Sequence, residues 1–363
     1  MIPADLSAEL ARAIGEVVGS GMWPAAAGRV TAGGTWRPAP DGAAGRYATS
    51  LPFELGRLTG QRPAAVAGRL ARLISAADWI GSAQATGDGY LTITVSAAAL
   101  AGVAVRVARA GPQCARSDAL RGVRLTGRPL PDLVVAASWR AAWQDQAAAL
   151  TGRLAEAAGA TVTPQADRSP PGPAVPGPVP GSAGPVAGAV RYVGADAVRY
   201  WLARSPASPE GAQADLAEPA GRFPVAHDLG DPWYAVGFAH ADAASVLRWG
   251  RGLGLVRLEP DGRLAGLLGE PAELALLTGL SWLGERVAGA ARRGEPAELP
   301  RYLEEIAAQW LTCRESCPAL PFGGRAAPRH PAGISARLWL AAATAAALAA
   351  GLRLIGISAR ERL

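Results

Sequence analysis

Apolar side chains recur at helical spacing in several segments of the chain and alternate with polar ones in another. Residues 46–74 predict two helices, the second with Pro63 in its first turn. Residues 89–95, GYLTITV, alternate apolar and polar side chains, which is typical of a half-buried strand. Five apolar residues at spacings of one to four predict a first amphipathic helix over 1–20: Leu6, Leu10, Ile14, Val17 and Val18. Helices with a short sheet predict an α+β domain over 1–110.

The middle of the chain has a different character. Residues 111–163 contain one predicted strand at 132–138 and one predicted helix at 139–159, a remnant βα segment that cannot form a sheet by itself. Residues 164–188 are rich in Pro and Gly and have almost no large apolar side chain, which predicts a linker.

From residue 189 onwards the apolar spacing is helical throughout, which predicts an all-α bundle over 189–363. Its most hydrophobic stretch, 338–352, is shorter than the roughly 20 residues that span a bilayer, so we expect a buried helix and no membrane segment. The N-terminus lacks the basic-then-apolar order of a signal peptide, and only three cysteines occur. We therefore expect a cytoplasmic protein, and a monomer.

Charge alone does not identify a ligand. The 363 residues carry a formal net charge of +6, and every basic residue is Arg, because the chain has no Lys. The excess of Arg over acidic residues is 3, 2 and 1 in residues 1–110, 111–190 and 191–363, whereas a dedicated phosphate binder concentrates its charge. Cys313 and Cys317 lie four apart, but no second Cys or His pair completes a zinc set, so we expect no metal and no cofactor.

Two blocks of sequence, in this order, resemble arginyl-tRNA synthetases. The first joins DGAAGRYATSLPFELGRLTGQRP at 41–63 to IGSAQATGDGYLTITV at 80–95, and is similar to the additional N-terminal domain of that family. The second contains VGADAVRYWLARSP, DPWYAVGFAHADAASVLRW and PRYLEEIAAQW, and closes with ARLWLAAATAAALAAGLRLIGISARERL, whose end resembles the family's L-G-I-x-x-x-E-R-M ending. This block is similar to the anticodon-binding domain named for its D-A-L-R signature. The resemblance implies an α+β domain followed by a helical bundle of the D-A-L-R type.

In that family a nucleotide-binding catalytic domain stands between the two blocks. Class I synthetases bind ATP with an H-x-G-H sequence at a helix start and with a Lys-rich loop, because phosphates need donors and cations. The three histidines of this chain form no H-x-G-H, and in the best alignment Ser138 and Ala141 occupy the two histidine positions. We therefore expect a non-catalytic relative with no catalytic residue.

The resemblance implies that both blocks contact tRNA. Arg46 and Tyr47 match a loop before the first block's helix, where a cation could pair with phosphate and a ring could stack on an unpaired base. The alternative is a surface Arg beside a Tyr that fills the core. The candidates in the second block are Tyr234, Phe238, His240, Arg248, Arg360 and Arg362.

The second block departs from the family at several polar positions. Ala235, Gly237 and Asp242 stand where the family has Tyr, Gln and Arg, and such changes weaken contact with an anionic ligand. A packed helix residue is the alternative for His240. We therefore expect the N-terminal domain, through Arg46 and Tyr47, to contribute more to RNA binding than His240.

Three functions remain open at this stage. The favoured one is binding of tRNA, such as an arginine-specific tRNA, or of a tRNA-like RNA. The first alternative is a trans-acting partner in arginine–tRNA ligation that works with a full-length synthetase. The second is a protein-interaction module that has lost RNA binding.

Overall fold

The computed structural model of the chain describes residues 2–31, 34–165, 185–205, 228–255, 257–259, 266–320 and 331–362. The chain forms two compact units, each assembled from three separate segments. The first unit contains Met1–Ala110, Val246–Glu285 and Gln309–Thr344, and the second contains Gly111–Ser245, Arg286–Ala308 and Ala345–Leu363.

An antiparallel sheet of four strands, in the order β1-β2-β4-β3, lies in the first unit. The strands are β1 (Trp36–Pro38), β2 (Arg46–Thr49), β3 (Ile80–Thr86) and β4 (Tyr90–Val95). Leu91 and Ile93 of β4 are fully buried while Tyr90 is exposed, which confirms the strand predicted from the alternation.

Four helices accompany this sheet: α1 (Ile2–Gly19), α2 (Leu51–Thr59), α3 (Pro63–Ile74) and α4 (Ala97–Ala110). The first three confirm the helices predicted from apolar spacing, and Pro63 is the first residue of α3. The segment before α2, predicted as a loop, is instead strand β2. It pairs with central strand β4, placing Tyr47 opposite Ile93, and this pairing turns the Tyr47 side chain into the core.

The remnant βα segment was predicted to form no sheet by itself, and this prediction is wrong, because the segment forms a two-stranded parallel sheet in a small βαβ arrangement in the second unit. Strands β5 (Arg124–Gly127) and β6 (Thr161–Pro164) pair in parallel, and α5 (Trp139–Ala157) lies between them in the chain. The predicted helix at 139–159 is confirmed as α5. The predicted strand at 132–138 is wrong, because the Asp132 carboxylate accepts a hydrogen bond from the Val134 amide and turns the chain.

The remaining helices of the described residues confirm the helical character predicted after residue 189. They are α6 (Pro185–Val193), α7 (Ala195–Arg204), α8 (Pro232–Gly252), α9 (Pro271–Ser281), α10 (Leu283–Arg293), α11 (Glu298–Ser316) and α12 (Pro331–Ile355). Helices α8, α10, α11 and α12 contribute residues to both units, whereas the predicted bundle was one continuous domain. Of the predicted linker at 164–188, residues 166–184 lie outside the described part of the chain.

Apolar packing holds α5 in the second unit. Trp139 and Trp143 of α5 form a core cluster with Val198 and Leu202 of α7. Helix α12 is long and apolar enough to cross a membrane by composition alone, but 78% of its apolar window is buried within the protein. It is a core helix, as the sequence predicts.

Candidate nucleic-acid interface

Tyr47, the first predicted base-stacking residue, lies in the core of the first unit. Its side chain is 0% exposed, its hydroxyl lies 2.7 Å from Ser281 Oγ, and its ring packs 5.3 Å from the ring of Trp282. Burial raises the pKa of this phenol well above its ordinary value. The structure corrects the prediction that Tyr47 stacks on RNA, because neither ring face is accessible, and the core alternative describes it.

Arg46 precedes Tyr47 on β2 and points away from that core. Its guanidinium pairs with the carboxylate of Asp41, and only 26% of its side chain is exposed. A phosphate would therefore compete with a carboxylate already in place, which leaves Arg46 a weaker candidate than its charge implies.

The second group of candidates surrounds an open cleft in the second unit. Most of its lining comes from the first turns of α8 and the segment that follows α12, and Asp196 of α7 and Leu352 of α12 complete it. The residues that line the cleft are Asp196, Trp233, Tyr234, Gly237, Leu352, Ile357, Ser358 and Arg360.

Helix α8 supplies the aromatic side of the cleft. Asp231 lies just before the helix, and its carboxylate accepts a hydrogen bond of 3.1 Å from the Trp233 amide, one of the donors that a helix start leaves unpaired. Tyr234 and Phe238, one turn apart, stack with ring centroids 6.1 Å apart. Phe238 packs against Tyr234 and does not line the cleft itself.

The segment after α12 supplies the opposite side because the chain reverses at Gly356. This residue has a φ of +93°, and a side chain there would meet Leu130, since an added Cβ would lie 2.5 Å from its Cδ1. The Ile357 amide donates back to the Leu352 carbonyl at 2.9 Å, a glycine-dependent helix ending. The turn lays residues 357–360 along the cleft.

His240 connects α8 to the segment that follows α12. Its Nδ1 lies 2.9 Å from the carbonyl oxygen of Arg360, and the residue is 5% exposed. Burial lowers the pKa of this imidazole, which favours the neutral ring. The structure thus corrects the prediction that His240 contacts RNA, because the side chain is occupied in holding the C-terminal segment.

The structure brings Tyr234 and Arg360 together, although 126 positions separate them. Arg362 is exposed two residues further on, and Arg248 lies on a part of α8 that belongs to the first unit, outside the cleft lining. Sequence reasoning missed Trp233, although it precedes Tyr234 directly. Asp196 was not among the predicted contacts, although it belongs to the D-A-V-R signature at 196–199 and lines the cleft.

These side chains suit an unpaired nucleotide. Trp233 and Tyr234 offer aromatic surface for stacking, the Asp196 carboxylate can accept hydrogen bonds from amino groups, and Arg360 offers a cation. Within the described residues no group of three or more His, Cys, Asp or Glu could hold a metal ion. The three cysteines, also buried, are free thiols.

The helix that aligns with the ATP-binding H-x-G-H begins with a hydroxyl instead. Ser138 is the N-cap of α5, and its Oγ accepts a hydrogen bond of 3.2 Å from the Ala141 amide. Ser138 and Ala141 thus contribute a helix cap, with no imidazole at either position.

Comparisons with known proteins find a domain family that matches the C-terminal part of the chain. The model of the DALR anticodon binding domain matches residues 236–363. The arginine–tRNA ligase of Micrococcus luteus is 38% identical over 177 residues, and that of Frankia alni is 38% identical over 176 residues. Each match covers 48% of this chain, which spans 30% of the length of either relative.

The fold has a counterpart among solved structures. The Thermus thermophilus arginyl-tRNA synthetase aligns over the whole of both chains with a TM-score of 0.60 at 14% identity. This confirms the predicted fold class, an α+β N-terminal region followed by a helical region of the DALR type. Residues 236–363 therefore match the DALR anticodon binding domain, and the chain is similar to arginine–tRNA ligases over its C-terminal half.

Proposed function

We propose that the chain binds an unpaired loop of RNA in the cleft between the start of α8 and the segment 357–360. The observation that carries this proposal is the meeting of two aromatic rings, a carboxylate and an arginine at one open cleft. Most of the lining lies within the residues that match the DALR anticodon binding domain.

The RNA we propose is a tRNA, such as an arginine-specific tRNA, or a tRNA-like RNA. Support comes from the relatives, which are named as arginine–tRNA ligases and match the chain over nearly half its length. A base stacked on Trp233 or Tyr234 contributes about 1–3 kcal/mol, and that amount does not depend strongly on which base it is. Because the charge excess is small and spread along the chain, we expect modest affinity.

We also propose that this chain does not by itself activate arginine. Support comes from the sequence, which contains no Lys and no H-x-G-H, and from Ser138 capping the helix where the first histidine would lie. Pyrophosphate exchange with ATP and arginine tests this directly. We expect no exchange above a blank, and exchange that scales with the purified chain would contradict it.

The binding proposal is tested with two labelled RNAs of equal length. One is the anticodon stem-loop of an arginine tRNA, and the other is a fully paired duplex with the same charge. We expect the full chain to bind the stem-loop more tightly by about tenfold, which corresponds to one stacked base. Equal affinity would indicate phosphate contact only, and no binding at low salt would reject the proposal.

A second candidate function has one observation in its favour. At the end of α8, Trp249 is 68% exposed and Leu253 is 61% exposed, an apolar surface more typical of protein contact than of RNA contact. It would suit an interaction module, including one that acts in trans on a full-length synthetase. Copurification of such a synthetase that Trp249→Arg abolishes, with no RNA binding by the chain, would favour this candidate.

A further inference from the structure

We infer that Arg153 and Gln146, both on α5, hold the C-terminal end of α12 and so position one wall of the cleft. Neither residue lines the cleft. Their effect on RNA rests on the proposed function, whereas their effect on the end of α12 does not.

A helix end leaves its last carbonyl groups without partners inside the helix. At the end of α12, the turn through Gly356 pairs backbone amides with the carbonyl oxygens of residues 352 and 353. The carbonyl oxygens of Leu354 and Ile355 are bonded instead by side chains from α5.

Arg153 and Gln146 supply these donors. Arg153 Nε donates to the carbonyl of Leu354 at 2.8 Å, and its Nη2 donates to that of Arg353 at 2.6 Å. Gln146 Nε2 donates to the carbonyl of Ile355 at 3.0 Å. A cation at this position also meets the negative end of the helix dipole, which strengthens the hold.

Gln146 is itself held in one orientation. It is 0% exposed, and its Oε1 accepts a hydrogen bond of 2.8 Å from Arg199, which also donates to the carbonyl of Pro131. A buried amide bonded at both ends has no alternative arrangement without losing a bond. Arg199 is the arginine of the D-A-V-R signature and bonds other protein groups here, whereas Asp196 of the same signature lines the cleft.

The hold matters because the cleft wall begins directly after it. Ile357, Ser358 and Arg360 lie within five residues of Ile355, and all three line the cleft. A displaced helix end would move them together. The remnant βα segment, which lacks the catalytic signature, thus serves to brace the binding surface, and Arg153 and Gln146 are positioning residues.

Amide hydrogen exchange of the RNA-free full chain tests whether Arg153 and Gln146 stabilise the end of α12. Arg153→Met keeps the aliphatic stem and removes the donors and charge, so we expect exchange in residues 352–360 to rise by about tenfold. Arg153→Lys, which keeps the charge, should give a smaller rise. Arg140→Met on an exposed face of the same helix is the control and should change nothing. Unchanged exchange in Arg153→Met would overturn the inference.

RNA binding then separates this inference from the proposed function. With the anticodon stem-loop as probe, Arg153→Met should weaken binding about tenfold, and much of that loss should vanish when Arg360→Ala is already present. If the double variant lost affinity by the product of the two single losses, Arg153 would not act through the cleft wall at 357–360. If the unaltered chain bound no RNA while Arg153→Met still raised exchange, the proposed function would fail and the hold would stand. Should Arg153→Met not fold, Gln146→Met with the same readouts decides the matter.

Discussion

Tyr47 and Tyr234 look alike in sequence and differ completely in structure. Each lies in a block that resembles a tRNA-binding domain, and each has an arginine nearby. Tyr47 is fully buried with its hydroxyl bonded to Ser281, whereas Tyr234 lines an open cleft with Arg360. The difference teaches that an aromatic residue beside an arginine becomes a nucleotide site only where the fold leaves the ring accessible.

The largest expected effect is on stability, at Tyr47. Tyr47→Ala removes a fully buried ring and leaves a cavity, so we expect the free energy of unfolding to fall by about 3–5 kcal/mol. Urea denaturation followed by circular dichroism measures this change. Tyr192→Ala, at a tyrosine that is 65% exposed, is the matched control and should change stability little. If Tyr47→Ala lowered the free energy of unfolding by less than about 1 kcal/mol, Tyr47 would not be the core residue that the contrast with Tyr234 requires.

The same substitution at Tyr234 should act on binding. We expect Tyr234→Ala to weaken binding of the anticodon stem-loop by about 1–3 kcal/mol, since one stacking face is lost. Fluorescence anisotropy measures the affinity, with Tyr192→Ala as control.

Arg46→Ala should leave the affinity within about twofold, because its guanidinium is already paired with Asp41. A larger loss of affinity from Arg46→Ala than from Tyr234→Ala would indicate that the RNA site lies in the N-terminal region.

Local pattern predicted the elements but not the cleft. The periodic helices and strand β4 follow from apolar spacing. Strand β2 was missed because it has four residues, and only its pairing with β4 shows that Tyr47 faces inward. The apolar run at 132–138 was wrongly predicted to be a strand. A turn at Asp132 prevents the strand, and Val135 is 77% exposed.

The cleft itself depends on contacts between distant parts of the chain. Trp233 and Arg360 are 127 positions apart, and the reversal at Gly356 brings the second towards the first. A lone glycine near the end of a helix predicts a helix ending but not what the following residues meet. Burial of His240 was one of the alternatives drawn from the sequence. The contact of His240 with the Arg360 carbonyl could not be predicted, because the two residues are far apart in the chain.

A smaller effect is expected on the salt dependence of binding. Arg360→Ala should reduce the slope of log affinity against log salt by about 0.7, the value for one phosphate contact on single-stranded nucleic acid. Anisotropy titrations over a salt series give the slope. Arg140→Ala removes the same charge from an exposed position on α5 and should leave the slope unchanged. Equal slopes for the unaltered chain and Arg360→Ala would remove Arg360 from the site.

The smallest effect is a dependence of stability on pH at His240. Burial lowers its pKa below the ordinary 6.5, so the unfolded chain binds a proton at a higher pH than the folded one. The contribution of His240 to stability is complete above pH 6.5 and declines as the pH falls through 6.5 towards the lower folded pKa. Urea denaturation across this range should show a shallower decline for His240→Gln than for the unaltered chain. Identical profiles would contradict the buried, neutral imidazole.

Photocrosslinking compares the two regions in one measurement. An arginine tRNA anticodon stem-loop with 4-thiouridine in its loop is bound to the full chain and irradiated, and the crosslinked peptides are identified by mass spectrometry. We expect crosslinks in residues 231–240 and 357–362, the two sides of the cleft, and none in 41–63. Crosslinks confined to 41–63 would contradict the assignment of the RNA site to the cleft.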